Sequence, residues 1–462
     1  MLVTSFYQAG GGFPLDDSWI HQTYARGIAE TGTWQYSLNG KSAGSTSPLW
    51  TVLLVPGHLT SPSNPYAWTF LLTWFTYISL LAVSVMLLYR LSRGNLGLTA
   101  VFGISLSMEW HLLWAAGSGM ETLLLAAGFL WIFYLLRLKN HYPLIGLLTG
   151  LLVFIRLEGI TILGPVLVLL FFDYRQGKIK NRDILQFTFF LVISLIFYAL
   201  HNFHLSGSVF PNTLAAKSTE YAELKSNPFI LRFLSLFSVM LIGPGVILIP
   251  GFTFSLWHSW RAQDRWMQSV IVWLLGFIVI YTVQLPVTYQ HGRYLIPILP
   301  VYMLIGFLGT IELISLARGK FLRLARLFIL GSLIVISLVF YVLGVNTYVK
   351  DVTIINDLMV SPAKWISHNT LPDAIIATHD IGAIGYFGNR RIVDLGGLID
   401  PGVIPILRDE TALQKHLDDT NANYLVILSD WYRELNQAGE LVNRFTAKTG
   451  LTSVTADILE IP

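Results

Sequence analysis

The sequence predicts an all-α polytopic membrane bundle with a small extracytoplasmic α/β domain at its C-terminus. Three observations carry that reading. Of 462 residues, 54% are hydrophobic and only 12% charged, with a mean hydropathy of +0.59; a soluble chain of this length needs far more charge to keep its surface wet. Apolar runs near the ~20 residues that cross a bilayer recur along most of the chain. From about Asn346 the composition turns ordinary, and short apolar strands alternate with helical stretches. The absence of cysteine excludes a disulfide framework, a thiol nucleophile and a cysteine zinc site.

Residues 1–65 read as a first extracytoplasmic loop with juxtamembrane helices. Met1 to Leu15 holds neither a signal peptide nor a span. A chain that starts outside without a signal is awkward to insert, so a transmembrane helix preceding this N-terminus is expected. After the pair Asp16-Asp17, Ile20, Tyr24 and Ile28 fall at i, i+4, i+8. That stripe predicts an amphipathic helix lying on the membrane surface. The bland role for the two aspartates is to cap its positive end.

Residues 66–345 form the transmembrane domain. Spans are expected at Tyr66–Leu88, Leu96–Ala115, Thr122–Leu136, Ile184–His201, Phe229–Trp257, Gln268–Leu285, Leu295–Leu316 and Leu327–Leu343. Between Leu144 and Phe172, two apolar halves flank Arg156-Leu157-Glu158-Gly159. Basic clusters arbitrate: Arg90 and Arg93; Arg137 and Lys139; Arg175 to Arg182; Arg261 and Arg265; Arg318 to Arg326. They fall on one side only if the Leu144–Phe172 segment crosses and returns as two short helices. About ten crossings follow, with both termini outside the cytoplasmic membrane. In residues 346–462, helices are expected at Ala363–Asn369, Ala412–Asp418 and Tyr432–Thr446. Strands are expected at Ala374–Thr378, Arg391–Leu395, Tyr424–Leu428 and near Val454–Leu459.

Several constellations could carry chemistry on the outer side. Arg156 and Glu158 sit at the tip of the two short helices, where ionisable groups face a cavity or each other; a guanidinium there suits phosphate. Lys217 (in PNTLAAK) and His291 and Arg293 (in QHGRYLIP) place further cations where basic residues are scarce. Each alone could be a snorkelling anchor, and a shared anionic headgroup would explain all of them. Glu109 and His111 read as a buried structural pair, and Glu121 as an acid favoured at a helix start. Gly382-Ala383-Ile384-Gly385 opens no nucleotide-binding fingerprint.

Taken in order, LDDSWIHQTYARGIAETG, STSPLW, SGMET, RLEG, PNTLAAK, HGRYLIPILP and DIGAIGYFGNRRIVDLGGLIDP resemble the GT-C superfamily of membrane glycosyltransferases. Its members include protein O-mannosyltransferases, aminoarabinose transferases and mycobacterial arabinofuranosyltransferases. The resemblance spans nearly the whole chain and implies a GT-C-like bundle. It also implies an enzyme moving a hexosyl or pentosyl group from a polyprenyl-phosphate donor to an extracytoplasmic hydroxyl on a glycan, lipid or protein. An acidic residue of the first outer loop, here Asp16 or Asp17, would be catalytic, and in some relatives acidic residues hold a divalent metal such as Mg or Mn. A hydroxyl acceptor needs a carboxylate base. The departing phosphate needs cations, here Arg156, Lys217, His291 and Arg293, with His21, Glu158, Asn212 and Tyr294 in support. Asp16 is assigned as base and Asp17 as the partner that raises its pKa or orients the acceptor. Membrane lipids are expected partners and nucleic acids are not. Two other classes share parts of this pattern. A glycolipid flippase would show outward cations, but the sequence lacks an internal repeat. A non-catalytic assembly protein would leave the aspartate pair without a purpose.

Overall fold

Apolar helices build most of the computed structural model, which describes residues 2–61, 64–316, 319–449 and 452–461. Arg318 of the last basic cluster lies outside the described residues. Among those described, six helices are long and apolar enough to cross a bilayer: Tyr66–Leu91, Leu157–Arg175, Asn181–Ser206, Arg265–Gln284, Tyr289–Ser315 and Lys320–Asn369. Two bent pairs and two shorter helices, Thr122–Leu138 and Tyr142–Ile155, complete a set that corresponds to the ten apolar segments of the sequence. The chain is a multi-pass membrane protein.

Two spans expected to be straight are not. The first breaks between Leu96–Ser107 and Trp110–Gly117 with a 51° bend. Glu109 leaves the first helix there and caps the second, accepting from the Leu112 amide at 2.9 Å. The other turns by 108° between Phe229–Val239 and Pro244–Arg261. Gly243 sits there at φ 104°, and Pro244 has no amide to continue a helix.

The Leu144–Phe172 segment does double back. Tyr142–Ile155 ends at Arg156, whose backbone is extended, and a short 3₁₀ turn leads into Leu163–Arg175. Gly159 packs directly on the Leu152 backbone, which a continuous helix would hold about 10 Å away. At the far end, Lys139 before the first helix bonds Asp173 near the end of the second, at 2.9 Å. That end also gathers Arg137 against Trp266 and Arg265 against Phe172. Basic residues from two of the clusters therefore share one pole of the bundle. The Arg156 tip lies at the other.

The opposite pole carries the C-terminal domain. Its strands, among the described residues, are β1 (Ile375–Thr378), β2 (Arg391–Asp394), β3 (Tyr424–Leu428), β4 (Glu440–Thr449) and β5 (Thr452–Glu460), in the order β2-β1-β3-β5-β4. β1 pairs with β2 and β3 in parallel, whereas β3–β5 and β4–β5 are antiparallel. The helix expected over Tyr432–Thr446 is absent there. Residues 435–437 form one 3₁₀ turn, and β4 begins after Gly439. Val442, Phe445 and Thr446 suit a strand better than a helix; Phe445 and Thr446 pair with β5, and Val442 sits at an irregularity in the register. Tertiary pairing overrode a helical period.

The Asp17–Thr31 helix is not a surface float. Ser18 to Ala25 are all buried, because the helix is covered on one side by Pro48–Thr60 and on the other by residues 381–388. Trp19 packs on Tyr386 and Phe387, at centroid distances of 4.9 and 4.6 Å. Phe13, Trp19, Tyr24 and Tyr36 share one hydrophobic core with Ile376, Ile381 and Ile384 of the C-terminal domain. Burying each such aromatic contributes about 1.5–3 kcal/mol. The first loop and the C-terminal domain thus form one body.

Candidate active site

Asp16 ends the turn that leads into the Asp17–Thr31 helix, yet it does not cap that helix. Its carboxylate instead accepts from two backbone amides of the C-terminal domain, Gly382 at 2.7 Å and Ala383 at 2.8 Å. A Cβ on Gly382 would lie 2.6 Å from the nearer carboxylate oxygen, so only glycine allows this approach. Burial, then the neighbouring Asp380, push the Asp16 carboxyl above the usual carboxylate range; the two amides and the more modest repulsion from Asp17 follow in size. Burial and Asp380 therefore shift Asp16 more than its sequence neighbour does.

Asp17 faces the opposite electrostatic situation. Burial alone would raise its carboxyl, but Arg293 and Lys217 overcome that and hold it far below the usual range. The Arg293 Nη2 donates to Asp17 Oδ2 at 2.6 Å, and Lys217 Nζ lies 3.4 Å from the same oxygen. Tyr294 joins them, its hydroxyl accepting from Arg293 at 3.1 Å and from Lys217 at 3.3 Å. Three cations surround the Tyr294 ring, Arg293 at 5.0 Å, Arg156 at 5.3 Å and Lys217 at 5.7 Å from its centroid. Residues as far apart in sequence as Asp17 and Arg293, 276 positions, thus meet at one point. The Arg293 Nε and Nη1 are buried and make no hydrogen bond among the described residues.

Arg156 is more fully engaged. Its Nη1 donates to Glu121 Oε1 at 2.8 Å and its Nε to Glu158. Glu158 also accepts from the Tyr281 hydroxyl at 2.6 Å. Glu121, fully buried, turns to Arg156 and lies 3.4 Å from His21 Nε2 rather than capping its own helix. His21 Nδ1 is tied to Thr51 at 3.1 Å and Ser45 at 3.2 Å. His21 and Glu158 thus form a supporting layer behind the cations. His291 is held elsewhere: it meets Asp351 at 2.7 Å between the rings of Trp110 and Trp114. Asn212 begins the Asn212–Glu220 helix that carries Lys217, and the cluster's hydrogen bonds do not include it. Glu109 and His111 pair at 2.8 Å, as a structural contact.

Sequence reasoning missed Glu121 as a partner of Arg156, Tyr281 as a partner of Glu158, and the Asp380 to Ala383 turn. The last left a signal, since Gly382 and Gly385 are both positions where a side chain would collide, with Asp16 and with Tyr36 respectively. The two aspartates do not fit a divalent cation as a pair. Asp16 is aimed at two amide donors and Asp17 at two cations. Among the described residues no three His, Asp or Glu side chains converge on a metal position.

The fold, a polytopic helical bundle capped at one pole by a small α/β domain with carboxylates and cations meeting at the junction, is shared with membrane proteins of known structure. In particular, the chain is similar to ArnT from Cupriavidus metallidurans. The apo crystal structure of that protein aligns with a TM-score of 0.63 at 14% identity, covering 99% of this chain and 96% of that one. The structure of the same protein bound to undecaprenyl phosphate gives 0.61, again at 14% identity and with the same coverage. At that identity the likeness is one of fold. Residues 352–457 match a family described as a domain of unknown function, DUF8728. No curated protein matches the chain.

Proposed function

We propose that this protein is a membrane glycosyltransferase that moves a sugar from a polyprenyl-phosphate donor to an acceptor hydroxyl on the extracytoplasmic side, with Asp16 as general base. The observation that carries the reading is the buried Arg293 guanidinium. Two of its donors lack a hydrogen bond among the described residues, and Lys217 stands beside it. Buried donors are nearly always satisfied, and a phosphate oxygen fits that fork. The orientation rests on charge: the pole gathering Arg137, Lys139 and Arg265 would be cytoplasmic, which puts the aspartates and the C-terminal domain outside. The undecaprenyl phosphate bound by ArnT supports a donor of that class.

The chemistry then divides between the two aspartates. As the acceptor oxygen forms its bond to the anomeric carbon, Asp16 takes the hydroxyl proton. The bond from that carbon to the phosphate oxygen breaks, and Arg293 and Lys217 stabilise the charge on the departing polyprenyl phosphate. Asp17 is too firmly ionised by its two cations to be a useful base. Its work is to hold Arg293 and Lys217 in place.

The test is sugar release from a panel of polyprenyl-phosphate sugars by the full chain in lipid nanodiscs. Turnover of one donor is expected, and Lys217→Met should raise its KM about tenfold or more, the loss of one charge-assisted contact. If no donor turns over, the reading is wrong.

A second measurement addresses the base. Asp16 must be ionised to accept a proton, and its raised pKa means that the ionised fraction grows only as pH climbs past the usual carboxylate range. The acidic limb of kcat/KM should lie correspondingly high. Asp380→Asn removes a like charge and should move that limb to lower pH. An unmoved limb would assign it to another group.

A further inference from the structure

A cleft of about 480 Å³ opens where the first loop meets the C-terminal domain, within the ~300–1,000 Å³ usual for small-molecule sites. One wall is Asn39, Lys41 and Ser42; the other holds Arg391, Asp400 and Asp419. Both walls are built before any ligand arrives. Asn39 mimics a strand against β2, accepting from the Ile392 amide at 2.9 Å and donating to its carbonyl at 2.5 Å. Lys41 is fixed by its bridge to Gln35, and Ser42 by its hydrogen bond to the Tyr24 hydroxyl at 2.6 Å.

The lining has a definite chemistry. Lys41 and Arg391 are exposed and take no part in the ion pairs among the described residues. Two unpaired cations facing one cleft call for an anionic group. Asp400 and Asp419, with the Asn39 amide and the Ser42 hydroxyl, offer what neighbouring sugar hydroxyls need, acceptors beside donors. A bare anion would use the cations and be repelled by the carboxylates. An apolar ligand would leave both cations without a counter-charge.

We infer that this cleft binds an anionic saccharide, a site separate from the Asp16–Asp17 cluster and independent of the transferase reading. The loop that walls the cleft also braces the base. Tyr36, three residues before Asn39, donates to the Ile381 carbonyl at 2.6 Å, immediately before the amides that hold Asp16.

The experiment is calorimetric titration of the full chain in nanodiscs with three probes: a trigalacturonate, the neutral maltotriose, and inorganic phosphate. Trigalacturonate should bind saturably, at least tenfold tighter than maltotriose or phosphate. The Lys41→Gln, Arg391→Gln double variant should lose at least tenfold of that affinity, with its thermal midpoint unchanged. Equal affinity for maltotriose would remove the charge argument, and equal affinity for phosphate would reduce the cleft to an anion site. No saturable binding, or binding indifferent to the double variant, would overturn the assignment. Because the titration needs no turnover, a chain that binds trigalacturonate but cleaves no donor would keep the site and discard the transferase reading.

Discussion

Asp16→Asn is expected to lower turnover of the polyprenyl-phosphate sugar by about 10²–10⁴-fold, the contribution of a positioned general base, while leaving the donor KM near that of the parent. The argument is geometric before it is electrostatic. Asp16 is the carboxylate fixed on both oxygens by amides of another domain, so it cannot follow the acceptor and must already be in place. An asparagine keeps the shape but turns an NH₂ toward one of those amides, leaving a buried donor unmet at ~1–3 kcal/mol. A thermal melt must therefore accompany the kinetics. Gly382→Ala should produce the same signature from the other side, because the added methyl would meet the Asp16 carbonyl oxygen at 2.1 Å and its carboxylate at 2.6 Å and displace the residue without changing its chemistry. Asp17→Asn should behave differently, changing donor KM as Arg293 and Lys217 lose their shared anchor. A folded Asp16→Asn enzyme that turned over normally would leave the pair as structural residues.

How much of this was legible in the sequence depends on range. The apolar segments and the doubling back at Arg156 were, because bilayer length and one-sided basic residues act within or between adjacent segments. The bend at Gly243-Pro244 could have been read from the same dipeptide. The fate of the Asp17–Thr31 helix could not. Its stripe of Ile20, Tyr24 and Ile28 gives a sound amphipathic period, but Trp19, His21 and Gln22 on the other faces are buried too. Trp19 is covered by Tyr386 and Phe387, more than 350 residues later, and His21 and Gln22 by Thr51 and Thr69 of the two following helices. The same holds for Asp16, whose partners are backbone amides that no side-chain pattern announces. Lys217, Arg293 and Tyr294 were singled out by type and location, whereas His291, chosen on the same grounds, has Asp351 as its partner. Two residues along a turn reversed the outcome, since Gln290 and His291 both adopt positive φ and redirect the chain before Arg293.

Arg156 poses the sharpest remaining choice, between a phosphate ligand and a structural counter-ion. Its Nη1 and Nε are already committed to Glu121 and Glu158, and Glu121 is fully buried with His21 as its other neighbour. Arg156→Gln should therefore destabilise the protein by about 3–5 kcal/mol, the cost of stranding a buried charge, seen as a marked fall in the midpoint of thermal unfolding. Adding Glu121→Gln removes the stranded charge, so the double variant should recover a large part of that loss. A ligand role makes the opposite pattern. The single variant would keep its midpoint and lose donor affinity, and the second substitution would restore neither. The guanidinium reaches the Tyr294 ring that Lys217 and Arg293 share, so a structural Arg156 would still act on the donor by fixing that ring, and Arg156→Lys separates the two contributions. Lysine keeps the charge near Tyr294 but cannot bridge two carboxylates with a planar fork. Donor KM close to the parent's with a lowered midpoint would show that the fork, and not the charge, is what Arg156 supplies.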